Sequence, residues 1–379
     1  MEWLVPLADL DYGEEEEAAV ISVLRSKWLT MGAVTEKFED AFRTLTQSAY
    51  AIAVSNATEA LHIALIACGI GRGDDVIVPS LTFVATANAV LYTGANVIFA
   101  DINSPQDLTI SVQDIARKIT PKTKAIIVMH YAGYPCEMAK IYDLAKANNI
   151  YIIEDAAHAP GAIADGKPVG TYGDIGCFSF FSNKNLATGE GGMLTTQDAE
   201  LAKKLLLLRS HGMTSLTYDR HRGHAYSYDV VALGYNYRID EIRAALGIEQ
   251  LLKLENNNYR RSLANSQYRM DLENVIEVPF AKPKDKPAYH LMPVLLPKGT
   301  NREAFQGYMK SVGIQTSIHY PPIHLFSYYK ELFKNIDHKL PVTEDVASRE
   351  VTLPLFPTMT GEQIELVTHH VKIGLDQAD

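Results

Sequence analysis

Beyond residue 50, short apolar β-branched runs alternate with longer stretches in which apolar residues recur at helical spacing. The runs at 50–55, 75–79, 96–101, 124–130, 150–155, 175–181 and 191–196 predict strands. Helices are predicted between them, as at 137–148, where Met138, Ile141, Leu144 and Ala145 fall on one face. Upstream, the acidic run Glu14 to Glu17 suits a helix N-terminus and is followed by Ala18, Val20, Ile21 and Leu24 at roughly helical period. The stretch from Trp28 to Gly32 then interrupts that helix with an aromatic and a glycine. A long helix is expected over about 238–263, followed by strands at 289–296 and 314–320 and helices at 302–312 and 363–375. Strict strand–helix alternation predicts a parallel sheet covered by helices. The chain divides on this reading into an arm and helix (1–30), a large α/β domain (31–250) and a smaller α+β domain (251–379).

Such sheets bind ligands outside the carboxyl ends of their strands, where Ser55, Asp155 and Phe181 fall. Composition narrows the chemistry. With 379 residues, 47% of them hydrophobic, the chain can bury a large core. Its formal charge is -10 and it has no basic block, which disfavours nucleic acid as a partner, so an anionic ligand must be captured locally. The three cysteines, Cys68, Cys136 and Cys177, lie far apart, which supports neither a disulfide framework nor a thiolate zinc site, and no His-Glu-x-x-His spacing offers another metal site. Without a basic leader or an uncharged apolar span, the expectation is a soluble, unprocessed cytoplasmic protein that acts on small molecules and does not engage a membrane.

Two near-motifs for phosphate fail on physical grounds. Gly161 to Lys167 has Walker spacing, but Pro168 stands where a hydroxyl must meet magnesium. The Gly69-Ile-Gly71-Arg-Gly73 run follows a helix instead of preceding one, which is the order of a C-cap. Four other places carry chemistry. Lys184 lies between the aromatic run Phe178-Ser-Phe-Phe181 and the turn Gly189-Glu-Gly-Gly192, an environment that desolvates an ammonium and makes it a nucleophile. The segment Ser55-Asn-Ala-Thr-Glu59 joins a strand to a helix start, whose free N–H groups suit a phosphate; Ser55 or Asn56 can equally serve there as a simple cap. Asp155 ends an apolar strand, with His158 close behind, and Phe83 follows another strand end. A phosphate cradle, an acid, a stacking aromatic and a lysine on strand ends are what pyridoxal phosphate requires.

The motifs Ser55 to His62, Pro79 to Thr86, Glu154 to His158, the Lys184 stretch, Leu233 to Arg238 and His319 to His324 occur in one order, and with them the sequence resembles the DegT/DnrJ/EryC1/StrS family of sugar aminotransferases. That resemblance implies fold type I of the aspartate aminotransferase superfamily: a three-layer αβα domain on a mainly parallel seven-stranded sheet, with a smaller α+β domain at the C-terminus. It implies that Lys184 forms the internal aldimine with pyridoxal phosphate, that Asp155 pairs with the pyridine nitrogen and that His158 meets the ring hydroxyl. Phe83 would stack on the ring. Ala57, Thr58 and Ser179 would hold the phosphate, joined by Asn236 from the partner of a homodimer. Ala187 departs from the Ser or Thr frequent in the family. A lysine at 184 matches the transaminases and not the dehydratase branch, which carries histidine.

The activity expected is transfer of an amine from an amino acid, L-glutamate, to a nucleotide-linked 3- or 4-keto-6-deoxyhexose, as in amino-sugar and polysaccharide biosynthesis. Trp28, Arg220, Arg222, His224, His319 and Tyr320 are the expected substrate contacts. A cyclitol of the scyllo-inosose type is an alternative acceptor. A cofactor-binding sensor without turnover is the alternative of another class.

Overall fold

The computed structural model describes residues 3–215, 223, 227–283, 285–334 and 339–378. The predicted strand runs form one seven-stranded sheet. Its strands are β1 (Tyr50–Val54), β2 (Asp75–Pro79), β3 (Asn96–Ala100), β4 (Thr123–Met129), β5 (Tyr151–Asp155), β6 (Ile175–Ser179) and β7 (Gly192–Thr196), in the spatial order β1-β7-β6-β5-β4-β2-β3. All pairings are parallel except those of β7, which runs antiparallel to both β1 and β6. That reversal matters for the site, because the β6–β7 connection then lies at the carboxyl edge of the sheet and carries Lys184 there.

Helices cover both faces. The strands β2, β6 and β7 are buried at every position, as a strand between two helical layers must be. On one face α3 (Ala57–Ala67), α4 (Ala85–Tyr92) and the helix Ala199–Arg209 supply Leu61, Leu65, Val90 and Leu205. On the other, α1 (Glu14–Ser26) leads into α2 (Ala33–Thr46), whose Phe38 and Phe42 pack on Phe178 and Phe180 of the aromatic run. Phe42 and Phe178 meet edge to face with centroids 4.9 Å apart. Each such fully buried side chain contributes about 1.5–3 kcal/mol by leaving water, so the run that precedes Lys184 is anchored from below.

The arm and the long helix Glu241–Asp271 hold the remaining pieces together. Glu241 accepts hydrogen bonds from the N–H groups of Gly32, Val34 and Thr35 and so caps α2. Further along the same helix, Gln250 and Lys253 bind Glu16 of α1, and Arg261 donates to the Leu355 carbonyl. The helix therefore runs continuously through residue 250 and touches both the α1 region and the C-terminal part. There, β8 (Met292–Leu295) pairs antiparallel with β9 (Glu350–Leu353) beneath the helices Arg302–Ser311 and Gly361–Ala378, around Phe305, Met309, Val351 and Val371.

The expected strand at 314–320 is absent; single bridges tie Ile314 to Val5 and Ser317 to Thr352. Two different partners, one residue each, do not make a ladder. β9 follows the helix Pro341–Arg349 directly, without a turn signal that separates it in the sequence. Gly69, at φ +76°, closes α3 with the Ile70 N–H on the Leu65 carbonyl, which is a helix C-cap. The Walker-like stretch is a hairpin of Ile163–Ala164 with Lys167–Pro168. Among the described residues no helix is long and apolar enough to cross a membrane.

Candidate active site

Four strand ends and the lysine loop converge at the carboxyl edge of the sheet. At the first, Asn56 caps α3 by accepting the Glu59 N–H at 2.9 Å, while Ser55 Oγ donates to the Glu59 carboxylate. Capping consumes the third helical N–H and leaves those of Ala57 and Thr58 without helical acceptors, since a first turn has none to offer. The Ser179 side chain, buried at the end of β6, stands opposite Gly192, which stands opposite Val54. A Cβ at Gly192 would lie 2.7 Å from the Asn56 carbonyl carbon and 2.9 Å from the Ala57 nitrogen. The cradle and Ser179 are thus brought together by a residue that must lack a side chain. Both readings of Ser55 to Glu59 hold at once: Asn56 is a cap, and the turn still presents free donors.

Asp155 ends β5 and is only 6% exposed. One carboxylate oxygen accepts from Thr86 Oγ1 at 2.7 Å and the other from the Ala157 N–H at 3.2 Å. Burial raises its pKa, against the lowering effect of the Thr86 and Ala157 hydrogen bonds and of Lys184 and His130. A cationic ring beside this carboxylate would lower its pKa; in the chain alone, burial dominates. Phe83 is not core: it is 56% exposed, and its ring centroid lies 6.1 Å from that of Tyr320.

Lys184 is partly exposed and makes no hydrogen bond through Nζ among the described residues. Desolvation lowers its pKa to about 8, with the charge of Asp155 opposing the shift. His158 Nε2 lies 3.0 Å from the Tyr320 hydroxyl. Burial first, and then the charges of Lys184 and His319, keep His158 well below its ordinary value and therefore neutral. Burial, with Asp155 and Glu350, holds the Tyr320 hydroxyl protonated. With that hydroxyl donating to Nε2, the imidazole proton sits on Nδ1, a buried atom without a partner among the described residues. His290 packs on His158 at 4.2 Å between centroids, and its Nδ1 is 2.9 Å from Asn185 Oδ1, the neighbour of Lys184.

Of the expected substrate contacts, Tyr320 is joined to His158, and His319 lies within electrostatic reach of Lys184. Trp28 instead packs over Gly32, next to Glu241. Asn236 is exposed, on a segment whose neighbours Tyr235 and Tyr237 bond to Leu208 and Arg209. Arg220, Arg222 and His224 lie outside the described residues. Sequence reasoning gave no role to Thr86, Asn185 or His290. Thr86 lies in the same motif as Phe83, but its strand end is two strands away from Asp155 in the sheet, and nothing local marks either it or His290.

The model of the DegT/DnrJ/EryC1/StrS aminotransferase family matches residues 10–372. GDP-perosamine synthase of Escherichia coli O157:H7 is 38% identical over 361 residues, covering 95% of each chain. PseC of Helicobacter pylori, described as an aminotransferase of pseudoaminic acid biosynthesis, superposes with a TM-score of 0.92 at 29% identity, over 99% of this chain and 100% of its own. The putative sugar aminotransferase Spr1654 of Streptococcus pneumoniae, in its PMP form, gives a TM-score of 0.92 at 27% identity over the same shares, and its PLP form matches as well. The residues at the sheet edge suit that cofactor: helix N–H groups free of helical acceptors for a phosphate, a buried carboxylate held by Thr86 and Ala157, an amine with a lowered pKa and, among the described residues, a buried imidazole nitrogen without a partner. The chain belongs to the DegT/DnrJ/EryC1/StrS aminotransferase family and is a pyridoxal-phosphate-dependent aminotransferase.

Proposed function

We propose that this enzyme carries an amine from L-glutamate to the keto group of a nucleotide-linked 3- or 4-keto-6-deoxyhexose. The observation that carries the reading is the convergence of Lys184, Asp155 and the α3 N-terminus on one edge of the sheet; the similarity to GDP-perosamine synthase and to PseC supports a sugar as acceptor. Pyridoxal phosphate, once bound, supplies an aldehyde that takes the amine and a ring that holds the electron pair released at the donor Cα. The residues of the chain do the rest. Ala57, Thr58 and Ser179 bind the phosphate, and Phe83 covers the ring. Asp155 faces the ring nitrogen with its carboxylate fixed by Thr86 and Ala157. His158 Nδ1–H donates to the ring hydroxyl, held in that tautomer by Tyr320. Lys184 would anchor the cofactor through its amine and, once free, would take and hold the proton of the donor Cα.

Purified holoenzyme treated with L-glutamate is expected to yield pyridoxamine phosphate and 2-oxoglutarate, and a panel of nucleotide keto-sugars then to restore the starting absorption with an amino sugar as product. Activity on a free keto-inositol and on no nucleotide sugar would move the acceptor to the cyclitols; absence of pyridoxamine formation with any amino acid would make the protein a cofactor-binding sensor.

The enzyme is also proposed to act as a homodimer that shares its sites, with Asn236 of each chain reaching the phosphate of the other. The exposed apolar run Val230, Val231 and Leu233, the last 86% exposed, lies just before Asn236 and supports this. Light scattering is expected to give the mass of two chains, and a single-chain mass for active enzyme removes the shared site.

A further inference from the structure

Behind His319 lies a line of polar atoms that the chemistry above does not use. Glu350 and Thr352 are next-but-one neighbours on β9 and so point the same way. Both are fully buried. The His319 backbone N–H donates to Glu350 Oε2 at 2.8 Å. Thr352 Oγ1 lies 2.5 Å from Glu350 Oε1 and 2.8 Å from His319 Nδ1. Tyr131, completely buried, donates to the His319 carbonyl and fixes the residue from its other side. Among the described residues, Nε2 of His319 has no hydrogen-bond partner, and the ring stands in the neighbourhood of Lys184.

A hydroxyl has one proton, so Thr352 donates to one neighbour and accepts from the other. Oε2 of Glu350 is committed as an acceptor, and the direction of the line is therefore set by Oε1. When Glu350 is ionised, Thr352 donates to it and accepts from Nδ1–H, and His319 presents a lone pair at Nε2. When Glu350 is protonated, Oε1–H donates to Thr352, Thr352 donates to Nδ1, and His319 presents an N–H at Nε2. We propose that Glu350, Thr352 and His319 form a proton relay in which the protonation of Glu350 sets the tautomer of His319 and so decides whether the ring offers the cleft a donor or an acceptor.

The charges around the line favour this division of labour. Burial raises the Glu350 carboxyl to about 8, against the lowering effect of Thr352, the His319 N–H and Arg302. Arg302 spends its guanidinium on the main-chain carbonyls of Ala347 and Glu350, and the other ionisable neighbours, Tyr131 and Tyr320, are neutral hydroxyls held up by burial. Around His319 stand Lys184, His158 and His290. Burial and Lys184 push His319 down to about 4, so its ring does not retain a second proton near neutrality. A proton that arrives at Nε2 therefore goes on: the Nδ1–H bond breaks toward Thr352 Oγ1, the hydroxyl proton of Thr352 passes to Glu350 Oε1, and one carboxylate becomes a carboxylic acid. No electron is exchanged. On the proposed function, which this deepens, the line gives the cleft a place to leave the proton that a donor ammonium must lose before its amine reacts.

The test is nitrogen-15 NMR of histidine-labelled holoenzyme across the pH range around 8, with His319 identified by comparison with a His319→Gln protein. The native enzyme is expected to change from an Nε2–H ring below that pH to an Nδ1–H ring above it. Thr352→Val is expected to abolish the change and to slow the glutamate half-reaction about tenfold or more, and Thr352→Ser to keep both near native. One tautomer at every pH in the native enzyme, or a change that persists in Thr352→Val, overturns the relay. The native pH series decides the matter even if Thr352→Val does not fold. Because the tautomer is read without turnover, failure of the relay is distinct from failure of the substrate reading, which shows as no pyridoxamine formation with glutamate.

Discussion

A Lys184→Ala enzyme is expected to lose transamination by about 10⁴-fold or more, because in the proposed function one amine serves as both the covalent anchor and the proton carrier, and general acid–base help alone contributes roughly 10²–10⁴-fold. The variant should still fold. Lys184 is partly exposed and its Nζ makes no hydrogen bond among the described residues, while Phe178 and Phe180, which anchor the loop, are untouched. Two measurements separate the role from a general defect. Borohydride reduction of native holoenzyme is expected to leave the cofactor attached to the chain, and to leave none attached in the variant; retention of the same covalent adduct without Lys184 would sink the assignment. In native protein stripped of cofactor, covalent capture is expected to rise as pH passes upward through about 8, since below that value the amine is protonated and cannot attack. A rise only near the ordinary lysine value of 10.5 would mean that the desolvation argument is wrong.

How much of this site the sequence carried depended on whether each signal was local. Asp155 and Phe83 sit at or just past the ends of strands whose β-branched runs are legible residue by residue, so their convergence follows from the parallel sheet, whereas the loop of Lys184 is held at that edge by the antiparallel return of β7. The cradle was equally local, a strand end and a helix cap within five residues, 55–59. What stayed hidden was contact between distant segments. His290 reaches Asn185 across 105 positions, and Thr86 reaches Asp155 across 69. No periodicity predicts either. The antiparallel turn of β7 was hidden for a related reason: direction within a sheet is set by connection length and partner, and the aromatic and glycine residues of the 180–191 loop fit either course. The segment 314–320 failed in the opposite sense, because its β-branched residues read as a strand while its hydrogen bonds go singly to the arm and to β9.

The second large effect is expected at Asp155. An Asp155→Asn side chain can keep the local network. Its oxygen still accepts the Ala157 N–H, and its amide nitrogen can donate to Thr86, whose hydroxyl is then free to turn toward Thr82 Oγ1, 3.0 Å away. Removing a charge that burial already disfavours should leave the fold at least as stable. What the amide does not supply is the negative charge that stabilises a protonated ring nitrogen in a dry site. Breaking one side of a buried charge pair costs about 3–5 kcal/mol, which at roughly 1.4 kcal/mol per decade predicts a fall of about 10²-fold to a few 10³-fold in the rate of the glutamate half-reaction. The loss should appear in the rate while cofactor content and borohydride trapping at Lys184 stay native, the reverse of the pattern expected for Lys184→Ala. Asp155→Glu, which keeps the charge but moves it by one methylene off the Thr86 and Ala157 contacts, is expected to fall between native and Asp155→Asn. An Asp155→Asn enzyme with a half-reaction within about tenfold of native, a difference too small for a buried ion pair, would show that the carboxylate does not face the ring nitrogen. Asp155 would then serve only to pin the turn at Ala157.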